Sequence, residues 1–215
     1  MKLYLNETSP FSRVVAATAW LSRCDALQLV WVDPWQSPAE LEQVNPFCMI
    51  PALALNDGVS LSESLCICQY LIATYQPEGL RAVDNQNALE VSVMGLAKTM
   101  METAFRSVAL GRFVAGDNEL SRRGKAGLAN ALHKLEAEAG SAGKDVLFQP
   151  NLATLYLHVA LEYLQFRHRE IYHDAAGDNI THFLEHSPFR QVLQTVSLER
   201  LATKPDFKTL ISTDV

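Results

Sequence analysis

Apolar positions in the first 76 residues come in short runs separated by turn residues, and the spacing alternates between strand and helix periods. Leu3-Tyr4-Leu5 predicts a strand over Lys2–Leu5, and the apolar stretch Val14 to Leu21 predicts a helix over Phe11–Arg23. Leu27–Val32, rich in Leu, Val and Trp, predicts a second strand. Asp33-Pro34 and Ser37-Pro38 break it, and a short helix follows through Val44. Asn45-Pro46 is a turn signal. Ile50–Leu55 and Val59–Leu61 flank Asn56-Asp57-Gly58, a strong hairpin signal. Apolar residues at 65, 67, 70, 71 and 72 predict a helix over Ser62–Tyr75. The resulting order, β-α-β-α-β-β-α, is too small for a full doubly wound sheet.

Beyond Tyr75 the pattern changes. Gln76-Pro77-Glu78-Gly79 ends the first unit, and the polar stretch to Asn87 reads as a linker. Strand signals then vanish. Ala88–Phe113 is a long helical pattern carrying Met94, Met100, Met101, Phe105 and Val108, with more apolar residues than one face holds. Residues 119–139 place Leu120, Leu128, Leu132 and Leu135 on one face, and Gly140–Gly143 is a turn. Asn151–His168 is apolar enough to be the buried centre of an all-helical domain. Short helices are expected over 180–186 and 188–200, with Pro205 marking the tail. The division is 1–76, a linker over 77–87, and 88–215.

Composition narrows the function classes. The chain has 215 residues, 48% of them hydrophobic, enough for a sizeable core in one domain or two small ones. Net charge is −6 without a run of Lys or Arg. The Arg122-Arg123 and Lys125 cluster reads as a solvated helix face, so nucleic acid is not an expected partner. The acidity is uneven: residues 1–80 hold three basic and eight acidic residues, −5 of the total. No apolar stretch reaches the length of a membrane span, and the strand-like start carries no signal-peptide pattern. A cytoplasmic protein is expected, away from membranes, with Cys24, Cys48, Cys66 and Cys68 reduced. Cys66 and Cys68 are not a CxxC pair, and packing is the expected role of both.

Three stretches carry candidate chemistry. In Ser9-Pro10-Phe11-Ser12-Arg13, a Ser followed by Pro marks a helix start. The Ser9 hydroxyl sits beside unpaired backbone N–H groups, either as a plain cap or as part of an anion site that suits a thiolate. In residues 45–55, Asn-Pro-Phe-Cys-Met-Ile-Pro-Ala-Leu-Ala-Leu, Pro51 opens a strand. A cis bond there would turn the Ile50 backbone outward to pair with an extended peptide; a trans bond would be an ordinary strand start. At Ser62-Glu63-Ser64, Glu63 and Ser64 at a helix start either cap it or hold an amino-acid zwitterion. In the second case Glu63 meets the ammonium, and Ser64 with backbone N–H groups meets the carboxylate. His182 and His186 have a metal-compatible spacing but no third ligand in a recognisable motif, so a surface or capping role is expected. Met94, Met100 and Met101 suit a core and could also line an apolar pocket.

In this order and spacing the motifs resemble the soluble glutathione S-transferase family, an α+β thioredoxin-like domain followed by an all-α domain. The carriers are Ser-Pro-Phe at 9–11, Asn-Pro at 45–46, Ile-Pro-Ala-Leu at 50–53, Asp-Gly at 57–58 and Glu-Ser at 63–64. Asn-Leu-Ala-Thr-Leu at 151–155 and Tyr-Leu-Gln-Phe-Arg at 163–167 look like a bacterial, Ser-type branch. The resemblance implies that Ser9 hydrogen-bonds the glutathione sulfur, with Ser12 as a second candidate. It implies that Ile50 pairs its backbone with the cysteinyl part beside a cis Pro51, and that Glu63 and Ser64 hold the γ-glutamyl end. Asn151 and Thr154 stand at the family's N-capping box. Glutathione is then the co-substrate, joined to a small apolar electrophile without a metal, in a homodimer with residues 88–113 at the interface. Two alternatives stand beside this transferase reading. One is a non-catalytic binding or regulatory protein of the RNA-polymerase-associated type, and the other a glutathione-dependent isomerase or dehalogenase. Three departures bear on the site. Ser9 stands where thiol transferases carry Cys, Met49 where many relatives have Lys, and Cys48 where many have Gly. Cys48 also lies near the expected thiol position, where a mixed disulfide would require exposure.

Overall fold

The computed structural model describes residues 1–114, 116, 118–139 and 144–212. They form two compact units, one of residues 1–82 joined by residues from Gln191 on, the other of residues 83–190.

The first unit is built on a four-stranded mixed sheet of β1 (Lys2–Leu5), β2 (Gln28–Trp31), β3 (Ala52–Ala54) and β4 (Ser60–Ser62), in the order β2-β1-β3-β4. β1 runs parallel to β2 and antiparallel to β3, and β3 pairs antiparallel with β4. A parallel pair needs a crossover, and α1 (Pro10–Leu21) supplies it. α2 (Ala39–Val44) and α3 (Ser64–Tyr75) complete the expected β-α-β-α-β-β-α order of a thioredoxin-like domain. The period of two along β1 sorts the core. Tyr4 joins Ala52, Val32 and Leu41 of α2 in one cluster, while Leu3, paired with Leu53, and Leu5 point to the opposite face. α1 packs on α3 and is buried from Ser12 through Ala19. It stops at Leu21, two residues before its expected end, because Arg23 adopts a left-handed conformation (φ 51°) that a helix cannot continue. In the hairpin, Gly58 has φ 90°, open to glycine without strain, and the Asp57 carboxylate accepts from Val59 N–H at 3.1 Å.

The second unit is helical: α4 (Ala88–Leu110), α5 (Glu119–Ala139), α6 (Leu152–Arg167), α7 (Arg169–Ala175) and α8 (Asp178–His186). α6 is buried from Leu152 to Leu161 and packs along α4, whose own Met94, Met100 and Met101 are also buried. Asn151 caps α6, its side chain accepting from Thr154 N–H at 3.0 Å. The α8 N-terminus borrows its cap from another helix. The Glu136 carboxylate of α5 accepts from the N–H groups of Gly177, Asn179 and Ile180 at 3.1, 2.8 and 3.0 Å. An added Cβ at Gly177 would come within 2.8 Å of that carboxylate and would push it away from these donors.

Several sequence expectations are corrected. Leu120 is 71% exposed, while Leu128, Leu132 and Leu135 are buried; Leu120 lies in the first turn of α5, before its buried stripe begins. The 88–113 helix ends at Leu110. The expected 188–200 helix is two, α9 (Arg190–Thr195) and α10 (Leu198–Ala202), because Ser197 starts the second by capping Arg200 N–H at 3.3 Å. A further helix, α11 (Phe207–Ile211), is capped by Asp206, which accepts from Thr209 N–H at 2.6 Å. α7 was not anticipated either. Cys68 is buried beside the Thr18 hydroxyl at 3.3 Å, but Cys66 is exposed. The turn expected at Gly140–Gly143 lies outside the described residues. The largest correction concerns the tail. Residues from Gln191 on belong with the sheet unit, where Trp31 Nε1–H donates to Pro205 O at 3.1 Å, and not with the helical domain assigned to 88–215.

Candidate functional site

Sheet register brings the three candidate stretches to one end of the first unit. Ala52 pairs with Tyr4, so Pro51 falls opposite Leu5, where β1 leads into the Ser9 turn. Ala52 also pairs with Ser62, so Glu63 leaves β4 at that same end. β1 carries Ser9, β3 follows Ile50 and Pro51, and β4 delivers Glu63 and Ser64.

The Ser9 turn is held from both sides. Asn6 Oδ1 accepts from the N–H groups of Thr8 (3.2 Å) and Ser9 (2.8 Å). The Ser9 side chain caps α1, its Oγ accepting from Ser12 N–H at 3.1 Å, and Pro10 occupies the first helical position. A hydroxyl that accepts from an amide keeps its own O–H to donate. Ser9 is half-buried, and among the described residues nothing accepts that O–H. Ser12 differs. It is fully buried and its Oγ has no hydrogen-bond partner, so what it gives the turn is the backbone N–H that donates to Ser9 Oγ. Of the two serines, only Ser9 presents a hydroxyl to a ligand arriving from solvent.

The Ile50–Pro51 peptide bond is cis, Pro51 is buried and Ile50 half-buried. The preceding loop is organised by Asn45, 2% exposed. Its Oδ1 accepts from Phe47 N–H at 3.2 Å, its Nδ2 donates to Met49 O at 2.8 Å, and its carbonyl accepts from Cys48 N–H at 2.8 Å. Cys48, half-buried, takes a left-handed φ of 50°, with its Sγ 3.9 Å from Pro34 O. Met49 is 58% exposed and adds no charge to a unit already rich in acid.

The third piece begins α3. Glu63, at φ 72° and exposed, folds its carboxylate onto its own helix: Oε2 accepts from Leu65 N–H at 2.9 Å and Oε1 from Ser64 Oγ–H at 3.2 Å. Ser64 is 2% exposed. The donors at this N-terminus therefore already serve one carboxylate.

Residues 3–79 match the family model described as "Glutathione S-transferase, N-terminal domain". They belong to that family. The matched stretch contains every candidate site residue named above: Ser9, Ser12, Met49, Ile50, Pro51, Glu63 and Ser64. No curated protein matches the chain. Among solved structures, a glutathione transferase family member from Pseudomonas fluorescens Pf-5 with bound glutathione superposes with a TM-score of 0.72. It has 22% identity, and the match covers 95% of this chain and 98% of that one. A glutathione S-transferase from Methylobacillus flagellatus KT with glutathione bound gives 0.69 at 22% identity, over 89% and 98% of the two chains. Gtt2 from Saccharomyces cerevisiae gives 0.66 at 15%, over 90% and 100%. At these identities the likeness establishes the fold, a glutathione S-transferase N-terminal domain followed by helices.

Residues beyond the candidate ligand-binding ones also shape the site. Asn6 is not among the sequence candidates and Asn45 is there only as a turn and motif residue, although each is an Asn at a turn, a side chain suited to bonding backbone two or three residues on. Elsewhere in the chain, His182 and His186 stack at 4.1 Å, and His186 Nδ1 lies 2.9 Å from His182 O. Among the described residues no group of three or more His, Cys, Asp or Glu is placed to hold a metal. Cys24 is buried, and burial pushes its thiol up to about 11 despite the Tyr75 hydroxyl beside it, which marks it as a packing residue.

Proposed function

We propose that this protein is a glutathione transferase that ionises the glutathione thiol at the start of α1 and adds it to a small apolar electrophile. The observation that carries the reading is Ser9. Its hydroxyl caps α1, accepts from Ser12 N–H and keeps its own proton to donate, at the positive end of a helix. A free thiol with a pKa of about 8.5 is mostly protonated at neutral pH. Lowering it by about two units takes about 2.7 kcal/mol. A hydroxyl donor and a helix N-terminus aimed at the same sulfur are sources of that size.

The arrangement at that end of the sheet supports the remaining roles. Ile50, before the cis Pro51, offers its backbone to the cysteinyl part of the tripeptide. Ser64 and the first N–H groups of α3 bind the γ-glutamyl carboxylate in exchange with Glu63, whose own carboxylate then turns to the ammonium. No metal takes part. The thiol proton leaves to water, the thiolate attacks an electrophilic carbon, the S–C bond forms as the leaving group departs with its electron pair, and the Ser9 hydroxyl is left donating to an uncharged thioether sulfur. The same reading makes the protein a cytoplasmic homodimer formed through α4, on which Leu89 and Val91 are 55% and 44% exposed. Sedimentation as a monomer at micromolar concentration would remove the dimer. The function itself is tested by calorimetric titration with glutathione, followed by turnover of a chloro-nitro-aromatic substrate. Saturable binding with turnover supports it. Binding without turnover leaves a glutathione-binding module, and no binding at millimolar glutathione overturns it.

A further inference from the structure

Arg13 is a charged side chain, 6% exposed, placed one turn into α1. Burying a guanidinium is costly unless its donors are satisfied. Here Nε–H donates to Val196 O at 2.7 Å and an Nη2–H donates to Leu193 O at 2.8 Å. Both carbonyls lie in and just beyond the last turn of α9, where helix carbonyls lack intrahelical partners and the dipole is negative. The partners are 180 and 183 residues away in sequence. On its other side the same residue closes the first turn of α1, Arg13 N–H donating to Ser9 O at 3.0 Å.

We infer that Arg13 is a positioning residue for the thiol site: it ties the Ser9 turn to the returning C-terminal segment and so fixes where the Ser9 hydroxyl points. The inference rests on the transferase reading only for its consequence, not for its geometry. Three features support it. The guanidinium spans two carbonyls at once, which a planar fork can do and a point charge does poorly. The first turn of a helix has few intrahelical bonds of its own, so an outside anchor matters most there. The tail is held to the same unit at a second place, by Trp31 Nε1–H on Pro205 O, so the anchor itself is fixed. Residues after Gln191 thereby form part of the support of a site that lies wholly in the first 64 residues.

The test uses the full chain with Arg13→Met and Arg13→Lys. Hydrogen exchange on the protein without glutathione is the first arm. In Arg13→Met, amides of the first turn of α1 and of residues 193–197 should both exchange about tenfold faster, with the β-sheet amides unchanged. The pKa of bound glutathione, followed by thiolate absorbance, is the second arm. It should rise by about one unit in both variants while glutathione affinity stays within about twofold, since Glu63 and Ser64 are untouched. Arg13→Lys separates positioning from charge: a lysine that restores the parent pKa would make Arg13 an electrostatic group and overturn the inference. Unchanged exchange in the first turn of α1 would overturn it as well. If the parent binds no glutathione, the transferase reading falls, and the exchange arm alone decides whether Arg13 holds the Ser9 turn.

Discussion

Two helices of the first unit begin at the same end of the sheet, and their first turns are completed in opposite ways. α1 is capped by the neutral, half-buried Ser9 hydroxyl, which leaves the positive end of the helix without a counter-charge from its own cap. α3 is capped by the exposed Glu63 carboxylate, which already accepts from Leu65 N–H and Ser64 Oγ–H. The same backbone dipole therefore serves two ends. In the proposed reading it stabilises at α1 an anion that reacts, and at α3 it is matched to a carboxylate that only anchors. In that reading chemistry belongs to the first end and affinity to the second.

The largest effect that would sharpen this contrast is Ser9→Ala. It removes a donor to the ionised sulfur, worth about 2 kcal/mol for a hydrogen bond to a charged group. The pKa of the bound thiol should rise by about 1.5 units, and the rate below that pKa should fall about thirtyfold, with glutathione affinity little changed at pH values where the thiol is protonated. An unchanged pH–rate profile would break the contrast at its stronger side. At the other end, Ser64→Ala should raise the glutathione KM about tenfold and leave kcat similar, the sign of an interaction made equally before and during reaction. Glu63→Gln should act in the same direction. A loss of kcat at saturating glutathione in either variant would show that α3 takes part in the chemistry.

Much of this was legible in the chain because local rules coincide here. Ser-Pro at a helix start, Asn-Asp-Gly between two strand runs and Glu-Ser before an apolar helix each name a local geometry, and the sheet brings them to one end. What stayed hidden was long-range. Arg13 reads as an ordinary polar residue in an apolar helix until its partners, two backbone carbonyls near residue 195, are known, and backbone carbonyls leave no mark on a sequence. The tail misled for a related reason: helical periodicity reports that a segment is a helix but not which unit it covers. Ser12 and Ser9 look interchangeable by type, and only burial separates them.

A smaller effect is expected at Met49, which lies at neither helix start. Its side chain is largely exposed, in a region of net charge −5, beside the residue expected to pair with an anionic tripeptide. Met49→Lys should add one partly screened charge pair worth about 1 kcal/mol, raising glutathione affinity about fivefold at low salt and less as salt is added. No gain at low salt would place residue 49 away from the ligand and leave α3 to set affinity alone.

The most direct measurement is the pH titration of thiolate absorbance for glutathione bound to the parent protein. A helix start capped by Ser9 should bring the midpoint to about 6.5, two units below the ordinary thiol value of about 8.5. A midpoint at the ordinary value in a saturated complex would contradict the assignment of the start of α1 as the place where the thiol is activated.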